Sequence, residues 1–326
     1  MFYNMDCIEG AQKHLNDGSI DLIISDPPYG IGGDMLHKHY NRNEDFVLDG
    51  YIEVPQDQYY DFTLSWIKEA ERVLKPGGSM YIVSGYTNLI HILNALSKTQ
   101  MKEVNHIIWK FNFGVYTKNK YISSHYHILY YVKPGTKPIF NTHSRYSDSE
   151  KDTESNGSLN YQDREDVWII NREYKPGQIK NKNELPTQLL AKMIQYSSNE
   201  GGLVCDFFLG SFSTAKVALG LNRRVCGFEK SPIAYNYQIT EMEKVISGSL
   251  MNNLRTPPPN KYFHQGKPFD ENEKDEILRR FMELKKAGMS KKKIIEKLGQ
   301  DLGRGPWSLD KIISTNKSHV TLIKNG

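Results

Sequence analysis

Apolar residues recur along the chain in two patterns. Short unbroken runs, "IDLIIS" at 20–25, "SMYIVS" at 79–84, "VNHIIW" at 104–109, "YHILYYV" at 126–132, "LVCD" at 203–206 and "RVCGF" at 224–228, predict buried strands. Between them lie stretches with apolar positions three and four apart and breakers at their ends, which predict helices over 58–74, 87–99, 186–198, 213–221 and 231–246. Strands alternating with helices imply an α/β fold, a mostly parallel twisted sheet covered on both faces.

Three segments break the alternation. Residues 30–58 are polar, containing "GGDMLHKHYNRNED", and are expected to be a substrate loop. Residues 134–183, with "TKPIFNTHSRYSDSEKDTESNGS", are poor in aliphatic side chains and read as an insertion beyond the sheet, part of it disordered. The proline-rich stretch 256–263 reads as a stiff linker. It divides a main domain over 1–255 from a small helical module over 264–326. In that module Ile277, Phe281 and Leu284 share one helical face, "AGMS" breaks and caps, "KKKIIEKLG" forms a second helix, and "PWSLDKIIST" starts a third at a proline. This is a helix-turn-helix pattern, with a three-helix protein-docking module as its alternative.

Charge sharpens the division. Of a net +4 over 326 residues, residues 261–326 carry 15 Lys and Arg against 9 Asp and Glu, an excess of +6 that leaves the rest at −2. The tail therefore suits an acidic partner, and Lys291, Lys292, Lys293 and Arg304 around its turn are expected to touch phosphates. Cys7, Cys205 and Cys226 are odd in number and lack metal-ligand spacing, so reduced thiols and no metal site are expected. No apolar run is long enough to span a membrane, and the N-terminus lacks a signal-peptide layout, so a cytoplasmic protein is expected.

Two segments carry chemistry. "SDPPYG" at 25–30 puts two prolines where the first buried run ends, so a stiff turn bearing Asp26, Pro27, Pro28 and Tyr29 must follow that strand. "VCDFFLGSFSTAKVALGLNRRVCGFE" at 204–229 reads strand, glycine-containing turn, helix, strand and acidic residue. That is the layout of a nucleotide-binding βαβ unit in which Glu229 takes two ribose hydroxyls.

Taken together, these segments resemble the amino-group DNA methyltransferases that use S-adenosylmethionine, in their circularly permuted β arrangement with the catalytic motif before the cofactor motif. The resemblance covers about residues 1–247. It extends to "NMDCIEG", "WIKEAERVLKPGGSMYI", "IIWKFNFGV", "SSHYHILYYVKPG" and "NELPTQLLAKMI", in the family's order. It implies a Rossmann-like methyltransferase fold and a cofactor site of Asp6, Cys7, Asp206, Phe208, Gly210, Ser211, Phe212, Ser213 and Glu229, with Pro186, Thr187 and Gln188 at the methionine end. It further implies that Asp26 and the Pro27 carbonyl accept the amino hydrogens of a flipped-out base that stacks on Tyr29. Lys38, Tyr40, Arg42, Lys118 and Lys120, with Tyr116 and Tyr121 between them, are the expected rim for double-stranded DNA.

The sequence departs from the family at two places. The usual Asp-Pro-Phe-x-Gly-x-Gly turn reads Asp206, Phe207, Phe208, Leu209, Gly210, Ser211, Phe212, and Leu189-Leu190 stand where Lys-Pro commonly follows Pro-Thr-Gln. A Phe212 that crowds the cofactor would make the chain a non-enzymatic DNA-binding protein; one that points into the sheet would leave the site open. The reading is an adenine-N6 DNA methyltransferase, with cytosine N4 as the close alternative, since Asp-Pro-Pro-Tyr goes mostly with adenine and Ser-Pro-Pro with cytosine. A glutamine-methylating enzyme shares Pro-Pro-Tyr but places its cofactor motif first. A homodimer and a companion restriction endonuclease stay open as partners.

Overall fold

The computed structural model describes residues 1–28, 54–114, 116, 118–142, 162–173, 184–251 and 268–315. The chain divides into two compact units, Met1–Thr256 and Pro257–Gly326. In the first, the strands are β1 (Phe2–Tyr3), β2 (Ile20–Ser25), β3 (Leu74–Ser84), β4 (Lys102–Lys110), β5 (His125–Val132), β6 (Val167–Ile169), β7 (Leu203–Asp206) and β8 (Arg224–Phe228). The helices are α1 (Cys7–His14), α2 (Tyr59–Val73), α3 (Leu89–Leu96), α4 (Thr187–Ser197), α5 (Ser213–Gly220) and α6 (Pro232–Met242).

The strands form one sheet in the order β1-β8-β7-β2-β3-β5-β4-β6. The fold is therefore a mostly parallel, mixed α/β sheet. β5 is antiparallel to both of its neighbours, because the described residues of the β4–β5 connection over 111–124 form no helix to carry the chain back across the sheet. One face is built by Leu22, Ile24, Val83 and Val204 against α4 and α5; the other by Ile23, Ile82 and Cys205 against α1, α2 and α3. This alternation within β2 is why its run is apolar throughout: both faces of the strand are buried.

The expected strand at 79–84 begins earlier. Leu74 pairs with Ile20, the chain then bulges through Lys75–Gly78, with Gly77 at φ 77°, and pairing resumes at Ser79 with Leu22. The "KPGG" breaker thus sits inside an interrupted strand, β3, as a bulge. β1 and β6, two and three residues long, are too short to leave a periodic pattern, and β6 corrects the expectation that 134–183 lies wholly beyond the sheet, since Val167–Ile169 pairs parallel with β4 as its edge strand.

In the second unit α7 (Glu271–Lys286), α8 (Lys291–Leu302) and α9 (Pro306–Thr315) share a core of Ile277, Phe281, Ile294, Leu298, Leu309 and Ile313. Asp270 caps α7 by accepting from the Glu273 N–H, and Gly303 ends α8 in the left-handed conformation at φ 62°. No helix among the described residues is long and apolar enough to cross a membrane. The linker at 256–263 lies outside them.

Gly227 fixes how closely β8 approaches its neighbours. A Cβ there would lie 2.4 Å from the Asp206 carbonyl oxygen and 2.8 Å from the Leu209 side chain, so β8 could not keep its register beside β7. Gly227→Ala is expected to destabilise the protein by about 1–3 kcal/mol, read as a lowered urea midpoint.

Candidate active site

β2 and β7 lie side by side and run parallel, with Leu22 opposite Val204 and Ile23 opposite Cys205. Their carboxyl ends are therefore level, and the Phe207 N–H donates to Ser25 Oγ at 3.3 Å. Asp26, Pro27 and Pro28 leave β2 at that point, while Asp206–Phe212 leave β7 beside them. Two motifs about 180 residues apart in sequence are thereby placed at one edge of the sheet, where ligands of open α/β sheets bind. Tyr59, buried at the start of α2, is close enough to Asp26 for its charge, after burial itself, to help raise the phenol pKa. Tyr29, Lys38, Tyr40 and Arg42 lie outside the described residues.

The turn after β7 is organised by two carboxylates. Asp206 is buried and accepts from the Phe208 N–H at 3.0 Å. Burial pushes its pKa up to about 6, the nearby Glu229 charge adds to this, and hydrogen bonds from Thr214 and the Phe208 amide oppose it. Glu229 follows β8 and holds the turn through both oxygens: Oε2 accepts from Gly210 N–H at 2.8 Å and Oε1 from Ser231 N–H at 2.7 Å. The Lys230 amide adds a third backbone interaction with this carboxylate. Burial raises the Glu229 pKa as well.

The N-terminus closes this site from the other side. Tyr3 pairs with Phe228, Asn4 Nδ2 donates to the Glu229 carbonyl at 2.7 Å, and Asp6 caps α1 by accepting from Ile8 N–H at 2.9 Å. The second Asp6 oxygen faces Lys230 Nζ at 3.5 Å. Asp6 and Glu229, at opposite ends of the main domain's sequence, thus become neighbours. The Cys7 side chain is packed in the core and its thiol pKa is raised by burial, so a cofactor role for Cys7 reduces to its backbone.

Phe212 answers the question its sequence position raises. Its φ of 58° is the left-handed conformation that a glycine at this position would adopt freely. Its ring is fully buried, with centroids 5.1 Å from Phe2 and 6.2 Å from Tyr235. Of the two arrangements left open for Phe212, the structure has the second: the ring belongs to the core on the α5 side. Ser211 and Ser213 share a hydrogen bond of 2.6 Å beside it. Phe208 packs instead on the opposite face, against Phe62 and edge-on to Trp66.

α4 starts at Thr187 after Pro186, whose side chain cannot cap it. The cap comes from Glu173, whose carboxylate accepts from Thr187 N–H at 2.6 Å and from Thr187 Oγ1 at 3.3 Å. Leu189 and Leu190, where Lys-Pro is common, are fully buried. Beside Glu173, the Arg172 guanidinium lies 4.9–5.5 Å from the rings of Trp109, Phe111, Phe113 and Tyr126. Sequence reading missed Tyr59, Arg172 and Glu173. Only the clustering of aromatics around 109–126 hinted at a cation partner.

Of the expected DNA-facing residues, Lys118 and Lys120 are exposed on the β4–β5 connection, with Tyr116 and Tyr121 exposed near them. Lys292 and Lys293 are exposed at the start of α8, while Lys291 pairs with Asp310 at 2.5 Å. Arg304 is a correction. It is 4% exposed, ion-paired with Glu273 at 2.5 Å, and stacked on Phe269 at 4.1 Å, so it holds the helical module together and is not presented to phosphates.

Phe212→Gly would relieve about 1–3 kcal/mol of backbone strain but remove a buried ring worth about 3–5 kcal/mol. Net destabilisation is the expected outcome in a thermal or urea melt, with no gain in cofactor affinity by calorimetry.

A family model described as DNA methylase, covering the N6 and N4 enzymes, matches residues 20–241. The type II methyltransferase M.HpaI of Haemophilus parainfluenzae is 32% identical over 247 residues, 74% of this chain and 72% of its own. The DNA adenine methyltransferase YhdJ of Escherichia coli K12 is 30% identical over 258 residues, 72% of this chain and 83% of its own. Among solved structures, the cytosine-N4-specific PvuII DNA methyltransferase shares the fold with a TM-score of 0.55 at 17% identity, covering 77% of this chain and 89% of its own. With Asp26, Pro27 and Pro28 leaving the sheet beside the Asp206–Phe212 turn, and with these matches over most of its length, the chain belongs to the N6/N4 family of S-adenosylmethionine-dependent DNA methyltransferases.

Proposed function

We propose that this chain methylates the exocyclic N6 amine of adenine at a specific site in duplex DNA. The observation that carries the reading is the level pairing of β2 with β7, which brings Asp26 next to the Asp206–Phe212 turn. Adenine is preferred because Asp leads the Pro-Pro-Tyr motif, and because a relative of the chain is named an adenine methyltransferase. Cytosine N4 is the second reading, favoured by the fold shared with a cytosine-N4-specific enzyme. The type II name of M.HpaI supports a restriction endonuclease as companion.

The residues fit the proposed donor. The Glu229 carboxylate suits the ribose side, Asp6 suits the adenine side, and Pro186, Thr187 and Gln188 at the start of α4 suit the methionine end. When bound, S-adenosylmethionine supplies a methyl group on a sulfonium, already activated toward attack. An exocyclic amine has its lone pair delocalised into the ring, so it needs orientation more than a strong base. The Asp26 carboxylate and the Pro27 carbonyl accept its two hydrogens and favour a pyramidal nitrogen, Pro27 and Pro28 hold that carbonyl still, and Tyr29 gives the extruded base a stacking face. Extrusion costs a few kcal/mol, which phosphate contacts from the exposed Lys118 and Lys120 help to offset.

Asp26→Ala is expected to slow transfer by about 10²–10⁴-fold while leaving S-adenosylmethionine affinity within about twofold, because the carboxylate meets the amine and not the donor. Labelled methyl transferred to duplex DNA should be recovered as N6-methyladenine on nucleoside digestion; label in cytosine selects the second reading, and none removes both. Asp206 gives a pH test. Its pKa of about 6 means that it is charged at pH 8 and takes up a proton as the pH falls through 6, losing the charge that favours a cationic donor. Calorimetric affinity for S-adenosylmethionine should fall over that window, and Asp206→Asn should be weak and flat across it.

A further inference from the structure

The unit Pro257–Gly326 has a surface that its own core does not use. Trp66 and Trp109 are fully buried and Trp168 is 7% exposed, but Trp307, at the second position of α9, is 76% exposed. One turn on, Lys311 Nζ lies 5.5 Å from the Trp307 ring centroid. Lys291 Nζ bonds Asp310 at 2.5 Å and Ser314 Oγ at 3.3 Å, which sets the first turn of α8 against α9. Lys292, Lys293 and Lys297 are exposed on α8 and form no ion pair among the described residues, whereas Arg280 with Asp301 and Arg304 with Glu273 neutralise one another elsewhere in the unit.

The placement of these lysines is unfavourable for the module alone. Lys291, Lys292 and Lys293 occupy the first turn of α8, at the positive end of its dipole, with no acidic residue among them. An approaching polyanion would offset that repulsion. An exposed indole beside Lys311, in a unit that also exposes cations without ion pairs among the described residues, combines an apolar contact surface with phosphate-binding charge. The segment's excess of +6 against −2 for the rest of the chain fits the same partner.

We propose that Trp307 and Lys311 of α9, with Lys292 and Lys293 of α8, form a contact surface for duplex DNA, the cations on the phosphates and the indole against the sugars or groove edge. The choice of duplex DNA as occupant rests on the methyltransferase reading; the existence of the surface does not.

The test uses the full chain and acrylamide quenching of tryptophan fluorescence. With the other three tryptophans buried, the quenchable signal belongs to Trp307. Adding a mixed-sequence duplex at low salt should shield it, and raising the salt should restore quenching. Trp307→Ala should weaken duplex binding about fivefold or more, through the loss of apolar area buried against the sugars or groove edge. Lys292→Ala with Lys293→Ala should flatten the slope of log affinity against log salt by about 0.9 for each phosphate that is no longer neutralised. All are exposed substitutions, so melting temperature and S-adenosylmethionine affinity should stay at wild-type values. Trp307 already shielded in the free chain would overturn the proposal in favour of a protein contact, as would equal quenching with and without saturating duplex. A wild type that methylates DNA while Trp307→Ala binds duplex unchanged sinks this surface alone. A wild type that transfers no methyl but whose Trp307 is shielded by duplex keeps the surface and removes the enzyme.

Discussion

The site depends on one pairing, that of β2 with β7. Neither strand carries the whole of the proposed site: β2 delivers Asp26-Pro27-Pro28, and β7 delivers Asp206 and the turn to Phe212. Because the strands are parallel, both turns leave at the same edge, and the Phe207 N–H to Ser25 Oγ bond fixes their relative height. The register is pinned by polar contacts at both ends of the pairing, with Asp21 accepting from the Leu203 N–H at 2.8 Å and Ser25 Oγ from the Phe207 N–H at 3.3 Å, since a slip of a strand apolar on both faces would only exchange one apolar side chain for another. The close approach of β8 at Gly227 extends this alignment to Glu229.

α4 ties the described ends of the insertion to the same centre. On one side Asn141 donates to the carbonyls of Gln195 and Ser198, each at 3.0 Å, and Phe140 stacks on Tyr196. On the other, Asp163 takes a hydrogen bond from Tyr196 at 2.9 Å and faces the buried Lys192 at 3.5 Å, and Glu173 caps Thr187. α4 is buried from Leu189 to Ser197, so it serves as a rigid base for both. In a protein that must hold a donor and a target at once, anchoring the insertion on the helix expected to meet the donor links the two physically.

Much of this was legible in the sequence, and the failures have physical causes. β2, β7 and β8 were readable because strands buried on both faces form continuous apolar runs. The Lys75–Gly78 bulge was read as a strand boundary because glycine and proline mark both. Phe212 shows that a glycine position can be filled by a residue whose burial outweighs its backbone strain, which composition cannot reveal. Arg304 shows the converse: its sign is visible in the sequence, but its burial against Glu273 and Phe269 is not. Glu173 and Tyr59 were missed because what they touch is brought to them only by the fold.

The central claim, that the turns after β2 and β7 form a single transfer site, is tested most directly by a crystal structure with S-adenosylhomocysteine bound. The account predicts its adenosine between Asp6 and Glu229, its sulfur facing Asp26 across the carboxyl ends of β2 and β7, and Phe212 still in the core. Ligand density away from that edge, or a Phe212 ring turned out of the core into the density, would contradict it.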